Sequence, residues 1–189
     1  MITIVHGGQT GVDRGAHDAA IENRWRLAGY MPRDGRDELG LIPADVARFL
    51  TLHASPNYAA RTEANVQSAS AVLVVVRDVE QSRSTPGTSR TIDLTYERNM
   101  TPLVVDPSND ATAIARWIWR LAAPPAPMLP LEGFEVDPVP LRLMVAGPRE
   151  SKWPGAQVET ARLLGQVACA LGQIGGGSTT VRDPLREQR

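Results

Sequence analysis

The sequence predicts a single-domain α/β fold in which helices cover both faces of a mostly parallel sheet. Two observations support this prediction. Strand-like and helix-like segments alternate along residues 1–172. The run Ala71–Val76 is also continuously apolar, as is typical of a strand buried on both faces of a parallel sheet. The chain has 189 residues, which suits one domain with a sizeable core.

Local patterns give the order of the elements. Runs of β-branched residues predict strands, and apolar side chains three or four residues apart predict helices. Ala16, Ala19 and Ala20, for example, mark the packing side of the first helix. We predict strands over 2–5, 26–30, 71–76, 102–105 and 141–146, and helices over 13–24, 59–69, 88–99, 110–122 and 155–172. The strand at 71–76 is the candidate for a central strand.

The connecting segments have compositions of their own. Residues 31–43 combine prolines, glycines and charged residues without a regular period, so we predict a loop, and a loop of this length is often functional. Residues 123–140 contain six prolines and predict a linker inside the domain, which spans residues 1–172. Residues 173–189 are glycine-rich and then charged, and predict a disordered tail.

Two residues of the later helices carry separate expectations. Trp119 lies off the apolar stripe of the helix over 110–122 and is a candidate for a subunit contact. Cys169 falls among apolar residues at helical spacing in the last helix, so we expect it to fill the core.

The composition limits the classes of function. The 20 basic and 21 acidic residues nearly cancel, so the global charge indicates neither a nucleic-acid groove nor a polybasic membrane patch. No apolar run approaches the ~18 residues of a membrane span, and no signal peptide is visible, so we expect a soluble, cytoplasmic protein. The single cysteine excludes an intrachain disulfide, and the three histidines lack the spacing of metal ligands.

The segment Gly7–Gly11 is the most informative part of the sequence. It follows the first strand and precedes an alanine-rich helix, and glycines at such a turn let the amides of a helix start approach a ligand. Arg14 lies in the first helical turn, where the helix dipole disfavours a cation by up to roughly 1 kcal/mol. An arginine at this position indicates a bound anion as its partner. A purely structural βα turn is the alternative.

Two further turns follow predicted strands. Thr88, Ser89 and Thr91 lie at one helix start, and Arg149 and Glu150 follow the last strand. Because the carboxyl ends of parallel strands meet at one edge of a sheet, we expect these turns and the first one to converge on one crevice. For Arg149 and Glu150, pairing with each other or capping the sheet is the alternative.

Two more arginines are candidates for binding an anion. Arg61 lies near the start of a helix and is able to give bidentate hydrogen bonds to an oxyanion, with a surface salt bridge to Glu63 as the alternative. Arg33 lies in the loop at 31–43 and would cover the crevice if that loop folds back. A solvated loop side chain is the alternative for Arg33.

The sequence offers no readable pair of nucleophile and base. No serine lies in a GxSxG motif, and the histidines have no recognisable partner. The first turn lacks both the Gly-Lys-Ser/Thr ending of ATP-binding loops and the GxGxxG spacing. We therefore expect binding more than catalysis.

Taken in order, five groups of residues resemble the molybdenum-cofactor carrier family. They are Gly7–Ala16, then Tyr30–Arg33 with Gly35-Arg36 and Ile42-Pro43, then Arg61-Thr62 with Asn65-Val66, then Gly87-Thr88 with Thr91, and finally Val145–Ser151 with Pro154-Gly155. The resemblance covers residues 2–172. It implies a Rossmann-like fold, within the group that includes the cytokinin-activating phosphoribohydrolases.

The resemblance also implies a function and a site. The implied protein is a non-catalytic homo-oligomer, either a dimer or a tetramer. It would bind and protect the molybdenum cofactor, which is a pterin with a dithiolene and a terminal phosphate, or it would hold molybdate. Together with the reasoning from the turns, it gives the candidate binding residues Gly7, Gly8, Gln9, Thr10, Gly11, Arg14, Arg33, Arg61, Thr62, Asn65, Gly87, Thr88, Ser89, Thr91, Arg149 and Glu150.

Two alternatives stay open. One is a protein that binds a nucleotide derivative. The other is an enzyme, a nucleoside-monophosphate phosphoribohydrolase. The phosphoribohydrolases have a glutamate shortly after their second glycine turn, and Ser89–Leu94 offers only Asp93 there.

Overall fold

The computed structural model describes residues 1–122 and 140–175. Its strands are β1 (Ile2–Val5), β2 (Arg26–Ala28), β3 (Tyr30–Met31), β4 (Arg36–Asp37), β5 (Gly40–Leu41), β6 (Thr51–Leu52), β7 (Ala71–Val75), β8 (Leu103–Val105) and β9 (Leu141–Ala146). Five of them form the main sheet in the order β2-β1-β9-β7-β8, and every neighbouring pair in it is parallel. The predicted α/β fold with a parallel sheet is confirmed.

Helices cover both faces of this sheet, as predicted. They are α1 (Val12–Glu22), α2 (Ala44–Ala47), α3 (Tyr58–Gln67), α4 (Pro86–Glu97), α5 (Ala111–Ala122) and α6 (Ala156–Gly175). Helices α1, α5 and α6 pack on one face, against side chains such as Leu73 and Val75. Helices α3 and α4 pack on the other face, against Val72 and Val74. The alternation of strand side chains between the two faces produces these two cores.

The middle strand of the sheet is β9, which lies between β1 and β7. The strand proposed for the central position, β7, is an inner strand, and all of its residues are buried. Ile4 of β1 lies opposite Leu143 of β9, and Leu73 of β7 lies opposite Val145. Continuous apolar character indicates that a strand is covered on both faces. It does not tell whether that strand lies in the middle of the sheet, as β9 does, or next to the middle, as β7 does.

The region after β2 differs from the prediction. The strand expected over 26–30 ends at Ala28, because Gly29 has φ +142 and a Cβ there would lie 2.0 Å from the carbonyl oxygen of His6. The next two residues form β3, which pairs with β6 in a separate parallel pair. The loop predicted over 31–43 contains a hairpin of β4 and β5.

The last helix corrects two expectations. Cys169 is exposed, because the buried stripe of α6 runs through Leu163, Val167 and Ala170. The helix continues to Gly175, so residues 173–175 are helical and do not belong to a tail. Residues 123–139 of the linker predicted over 123–140, and residues 176–189 of the tail predicted over 173–189, lie outside the described residues. Within the described ranges, no helix combines the length and the apolar character needed to cross a bilayer.

The topology places a crevice at the carboxyl edge of the sheet. Helix α1 leads from β1 to β2 in one direction, and α4 leads from β7 to β8 in the other. In open parallel sheets, ligands bind where the connections diverge in this way, beyond the carboxyl ends of the strands. The loops after β1, β7 and β9 all lie at this edge.

Candidate functional site

The first glycine turn, residues 6–11, uses its backbone amides within the protein. The amides of Gly7 and Gln9 both donate to one carboxylate oxygen of Asp13, at 2.9 and 3.1 Å. The Gly8 amide donates to Nδ1 of His6 at 3.1 Å, and the Thr10 amide donates to the side chain of Gln9 at 3.0 Å. Four consecutive amides therefore have acceptors, and one of those acceptors is an anion supplied by the chain itself.

Asp13 is the residue that supplies this anion. It is 8% exposed, and burial raises the pKa of its carboxyl, although Arg61 and the two amides act in the opposite direction. The spacing offered a signal, since a carboxylate in the first turn of a helix is able to reach back to the amides that precede the helix.

Arg61 is buried beside the first turn. Its side chain extends from α3 and packs against the backbone of Gly7, where an added Cβ would lie 1.5 Å from Nη1. Its ion pair with Asp13 is 3.9 Å long, and its Nε has no hydrogen-bond partner among the described residues. Arg61 therefore lies beside the first turn, and its guanidinium is weakly paired although the residue is only 9% exposed.

The loop after β9, residues 147–155, lies against the first turn. An added Cβ at Gly11 would be 2.6 Å from both the carbonyl oxygen of Pro148 and the amide nitrogen of Glu150. The Glu150 amide donates to the hydroxyl of Thr10 at 3.2 Å. The Glu150 carboxylate accepts from the amides of Gly155 and Gln157. Glu150 therefore caps the start of α6, a role that differs from both alternatives noted for it, pairing with Arg149 and capping the sheet.

The β4–β5 hairpin reaches the same place and was not predicted. Asp37 accepts a 2.7 Å hydrogen bond from Arg14, so the partner of this arginine is a carboxylate of the chain. Glu38 accepts from the Thr10 hydroxyl and from Ser151. Burial acts to raise the pKa of Glu38, but hydrogen bonds from Ser151 and Thr10, with the charge of Arg149, outweigh it and lower the pKa below its usual value.

Two buried histidines lie below the first turn. Because the Gly8 amide donates to Nδ1 of His6, neutral His6 carries its proton on Nε2 and donates it to Nδ1 of His17, 3.3 Å away. Burial is the main cause that lowers the pKa of His6 to about 3, and the neighbouring His17 and Arg14 act in the same direction. Burial also lowers the pKa of His17. The pair is therefore neutral at neutral pH.

The second glycine turn, residues 84–89, has a different character. Thr85 is the N-cap residue of α4, but its side chain does not cap the helix and instead donates to the hydroxyl of Thr88 at 2.7 Å. The Thr91 hydroxyl donates to the carbonyl oxygen of Gly87. Within residues 1–122 and 140–175, the amides of Gly87 and Thr88 have no acceptor. Ser89 accepts from the side chain of Arg83.

The other candidates are placed as follows. Asn65 Oδ1 accepts from the Tyr30 amide at 2.7 Å and its Nδ2 donates to the Tyr30 carbonyl oxygen at 3.0 Å, so Asn65 attaches α3 to β3. The Thr62 hydroxyl donates to the carbonyl oxygen of Tyr58 within α3. Arg33 is exposed. In the described part of the chain, no hydrogen bond or ion pair links the second turn to the first turn or to the loop after β9.

An open cavity of about 760 Å³ lies at the ends of β7 and β8, and the sequence did not indicate it. Arg77, Asp78 and Asp106 line it on the strand side, and Trp153 and Glu159 line it on the α6 side. None of the sixteen candidate residues lines this cavity. Trp153 belongs to the same loop that contacts the first turn through Glu150, so the cavity and the turn share one wall.

A parallel sheet with helices on both faces and loops gathered at its carboxyl edge defines a Rossmann-like α/β protein. Comparison with known proteins agrees. The model of the circularly permutated YpsA SLOG family matches residues 4–168, and the chain belongs to this family. Among the described residues, β9 is the last strand along the chain, and it lies in the middle of the sheet.

One solved structure is similar over most of its length. It is the crystal structure of a protein from Syntrophus aciditrophicus named "Putative molybdenum carrier protein". The identity is 23%, the match covers 87% of this chain and 93% of that chain, and the TM-score is 0.69. The predicted resemblance is thereby supported, and at this identity the likeness shows the fold. No curated protein matches the sequence.

Proposed function

We propose that this protein is a non-catalytic carrier that binds the molybdenum cofactor, or a related phosphorylated pterin or oxyanion, at the carboxyl edge of its sheet. The name of the structurally similar protein supports a molybdenum-related cargo. The observation that carries the proposal is the incomplete pairing of the buried Arg61 side chain. A ligand with a terminal phosphate would bring negative charge to a site whose buried cation is incompletely paired.

Burial makes an incompletely paired arginine such as Arg61 energetically costly. A guanidinium that loses contact with water requires close hydrogen bonds to compensate, and such a group unpaired costs several kcal/mol. Arg61 has one ion pair of 3.9 Å, which exceeds hydrogen-bond length, and an unpartnered Nε. An anionic ligand would offset that cost. The residues of this chain therefore fit an anionic cargo.

The amides for the phosphate are proposed to come from the second turn. Gly87 and Thr88 lie at the start of α4, where the helix dipole favours an anion and no side chain caps the helix. Helix α4 packs beside α3, which carries Arg61. A nucleotide derivative has the same phosphate chemistry, so it is the alternative cargo.

The phosphoribohydrolase alternative is less well supported. Asp93, the first carboxylate after the second turn in the sequence, pairs with Arg83 at 2.6 Å, and both side chains are about half exposed. A carboxylate held in an exposed ion pair with an arginine is not placed to exchange a proton with a bound substrate.

The test compares Arg61→Gln with Arg116→Gln, which removes the same charge from an exposed position on α5. Freshly purified proteins are analysed by native mass spectrometry, and the small molecules are then extracted and assayed for pterin, nucleotide and molybdenum. We expect the parent and Arg116→Gln to carry a pterin with molybdenum. Arg61→Gln should bind it about ten- to a hundredfold more weakly, since a hydrogen bond to a charged group contributes about 1.5–3 kcal/mol.

Controls separate binding from folding. Thermal melts check that Arg61→Gln is folded, and Arg61→Lys, which keeps the charge, should retain part of the affinity. The same spectra give the number of subunits and test the proposed dimer or tetramer. A nucleotide without molybdenum would favour the alternative cargo, and release of free base from nucleoside monophosphates would favour the enzyme. Equal ligand content in the two glutamine variants would contradict the role of Arg61.

A further inference from the structure

The hairpin of β4 and β5, residues 36–41, presents two carboxylates to groups that suit an anionic ligand. Its two-residue tip is Glu38 and Leu39. Asp37 pairs with Arg14, and Glu38 contacts Thr10, Ser151 and Arg149. We call these residues 36–41 the acidic hairpin.

The groups around Glu38 form a convergent set of donors. The Ser151 amide donates to Oε1 at 3.0 Å, the Ser151 hydroxyl donates to Oε2, and Nε of Arg149 lies 3.7 Å from Oε2. The Thr10 hydroxyl accepts the Glu150 amide, so its own proton is directed to Oε1 of Glu38. Two hydroxyls, one amide and one guanidinium thus surround a single carboxylate that is 11% exposed.

Such a donor set is suited to an oxyanion of any source. Hydroxyl, amide and guanidinium donors make charge-assisted hydrogen bonds to carboxylate, phosphate or molybdate oxygens alike. The donors come from the loops after β1 and β9, two strands that are neighbours in the sheet, so their spacing is fixed by the fold and not by the hairpin. Glu38, which lies 28 residues after Thr10 in the sequence, contacts these donors from the hairpin.

We propose that Thr10, Ser151 and Arg149 form an oxyanion cradle, and that Glu38 occupies it as an internal competitor. An oxyanion group of the cargo then binds only when the acidic hairpin moves away. This inference rests on the proposed function for the identity of the cargo, but the cradle itself is defined by the contacts of Glu38.

The attachment of the hairpin permits this exchange. Leu39 and Leu41 are 84% and 72% exposed, so the tip does not bury apolar surface when it docks. Its links to the cradle and to the first turn are polar, including the Glu38 amide bonded to the side chain of Gln9 at 3.2 Å. Ile42, just after the hairpin, is buried against Met31 and Val46 and anchors its base. Movement of the tip therefore breaks hydrogen bonds and ion pairs but leaves the core intact.

The experiment titrates protein freed of small molecules with inorganic molybdate and, separately, inorganic phosphate, by isothermal titration calorimetry. Glu38→Gln removes the competing charge, and Glu22→Gln removes the same charge from an exposed position at the end of α1. If the docked hairpin leaves the cradle open in about a tenth of the molecules, Glu38→Gln should bind at least one of the two anions about tenfold more tightly than the parent. Glu22→Gln should bind like the parent. Asp37→Asn, which weakens the second attachment, should shift the affinity in the same direction as Glu38→Gln.

Hydrogen exchange gives a second readout. When molybdate or phosphate saturates the parent protein, the Glu38 amide should lose protection, whereas a lid that closes over its ligand would gain it. Equal affinities for the parent and Glu38→Gln would overturn the competition, and binding of neither anion to either protein would overturn the cradle. Both results are distinct from a failure of the proposed function, which is decided by the cargo that co-purifies and by Arg61→Gln.

Discussion

The two glycine turns at the carboxyl edge both connect a strand to a helix but differ in what their amides bind. In the first turn, the amides from Gly7 to Thr10 all have acceptors inside the protein. Both α1 and α4 begin without a side-chain cap, but in the second turn the amides of Gly87 and Thr88 have no acceptor in the described part of the chain. A glycine-rich turn between a strand and a helix is therefore not by itself an anion site.

Asp13 accounts for two of these four amides, and His6 and Gln9 accept the other two. Asp13 lies in the first turn of α1 and supplies the anion that the amides would otherwise take from a ligand. The corresponding first turn of α4 has no acidic residue. The first turn thus has a structural role, because it positions Arg61 and the loop after β9. The second turn keeps backbone amides that are free to donate to a ligand. Three experiments test this contrast.

The largest effect is expected from the same substitution made in both turns. Gly11 has φ +71, and an added Cβ would lie 2.6 Å from backbone atoms of the loop after β9, so Gly11→Ala should lower the free energy of unfolding by about 4 kcal/mol. At Gly87 an added Cβ meets no atom within 4 Å, and alanine is favoured over glycine in a helix. Gly87→Ala should change stability by less than about 1 kcal/mol, in the stabilising direction.

Urea denaturation of the two variants and the parent provides the measurement. Equal destabilisation by the two substitutions would mean that the first turn is no more tightly constrained by its neighbours than the second, and the contrast would fail.

The next effect concerns acid, and it should be confined to the first turn. The pKa of His6 is about 3 in the folded protein and 6.5 in the unfolded chain, so the folded state binds fewer protons. The stability that His6 contributes is complete above pH 6.5 and is lost as the pH falls towards 3, at up to about 1.4 kcal/mol per pH unit. Protonation would also remove the acceptor of the Gly8 amide.

We therefore expect the parent to lose about 2 kcal/mol between pH 6.5 and pH 5 through this group. Urea denaturation at several pH values, for the parent and for His6→Gln, isolates the effect of His6, because carboxylates and His17 are present in both proteins. The dependence on pH should be shallower in the variant. Parallel curves would show that His6 is not the group that makes the first turn sensitive to acid.

Most of the fold could be predicted from local patterns. Alternating strands and helices and the apolar run of β7 were sufficient for a parallel sheet covered on both faces. The hairpin was missed because strands of two residues, such as Arg36–Asp37, have no detectable period. Cys169 was misplaced because apolar neighbours on both sides of a helix position do not determine which face is buried.

The positions of the strand-end turns were predictable from the sequence, but the contacts of the candidate site were not. The turns at the strand ends were found, and Arg61 was chosen for its chemistry. The contacts of Glu38 with Thr10 and Ser151 join segments 28 and 113 residues apart, and no local pattern encodes them. The bond of Asn65 to Tyr30 likewise depends on how α3 packs beside β3. Such contacts follow from the topology, which the sequence does not reveal position by position.

The smallest expected effect on stability is also the sharpest test of the second turn. Thr85→Asp would place a good N-cap residue at the start of α4, where its carboxylate accepts a free amide and interacts favourably with the helix dipole. We expect the free energy of unfolding to rise by about 0.5–1 kcal/mol. The same carboxylate would occupy the donors proposed for phosphate and repel it, so the affinity for inorganic phosphate should fall about tenfold, equivalent to about 1.4 kcal/mol.

Asn57→Asp is the matched control, because Asn57 already caps α3 by accepting the Ala59 amide at 2.8 Å. It adds the same charge without adding a cap, so both stability and phosphate affinity should stay close to those of the parent. Calorimetric titration with phosphate and urea denaturation give the two readouts. A gain in stability with unchanged phosphate affinity would mean that the start of α4 is merely uncapped. The contrast between the turns would then describe two structural solutions, and the anion site would have to be sought at the cradle beneath the acidic hairpin.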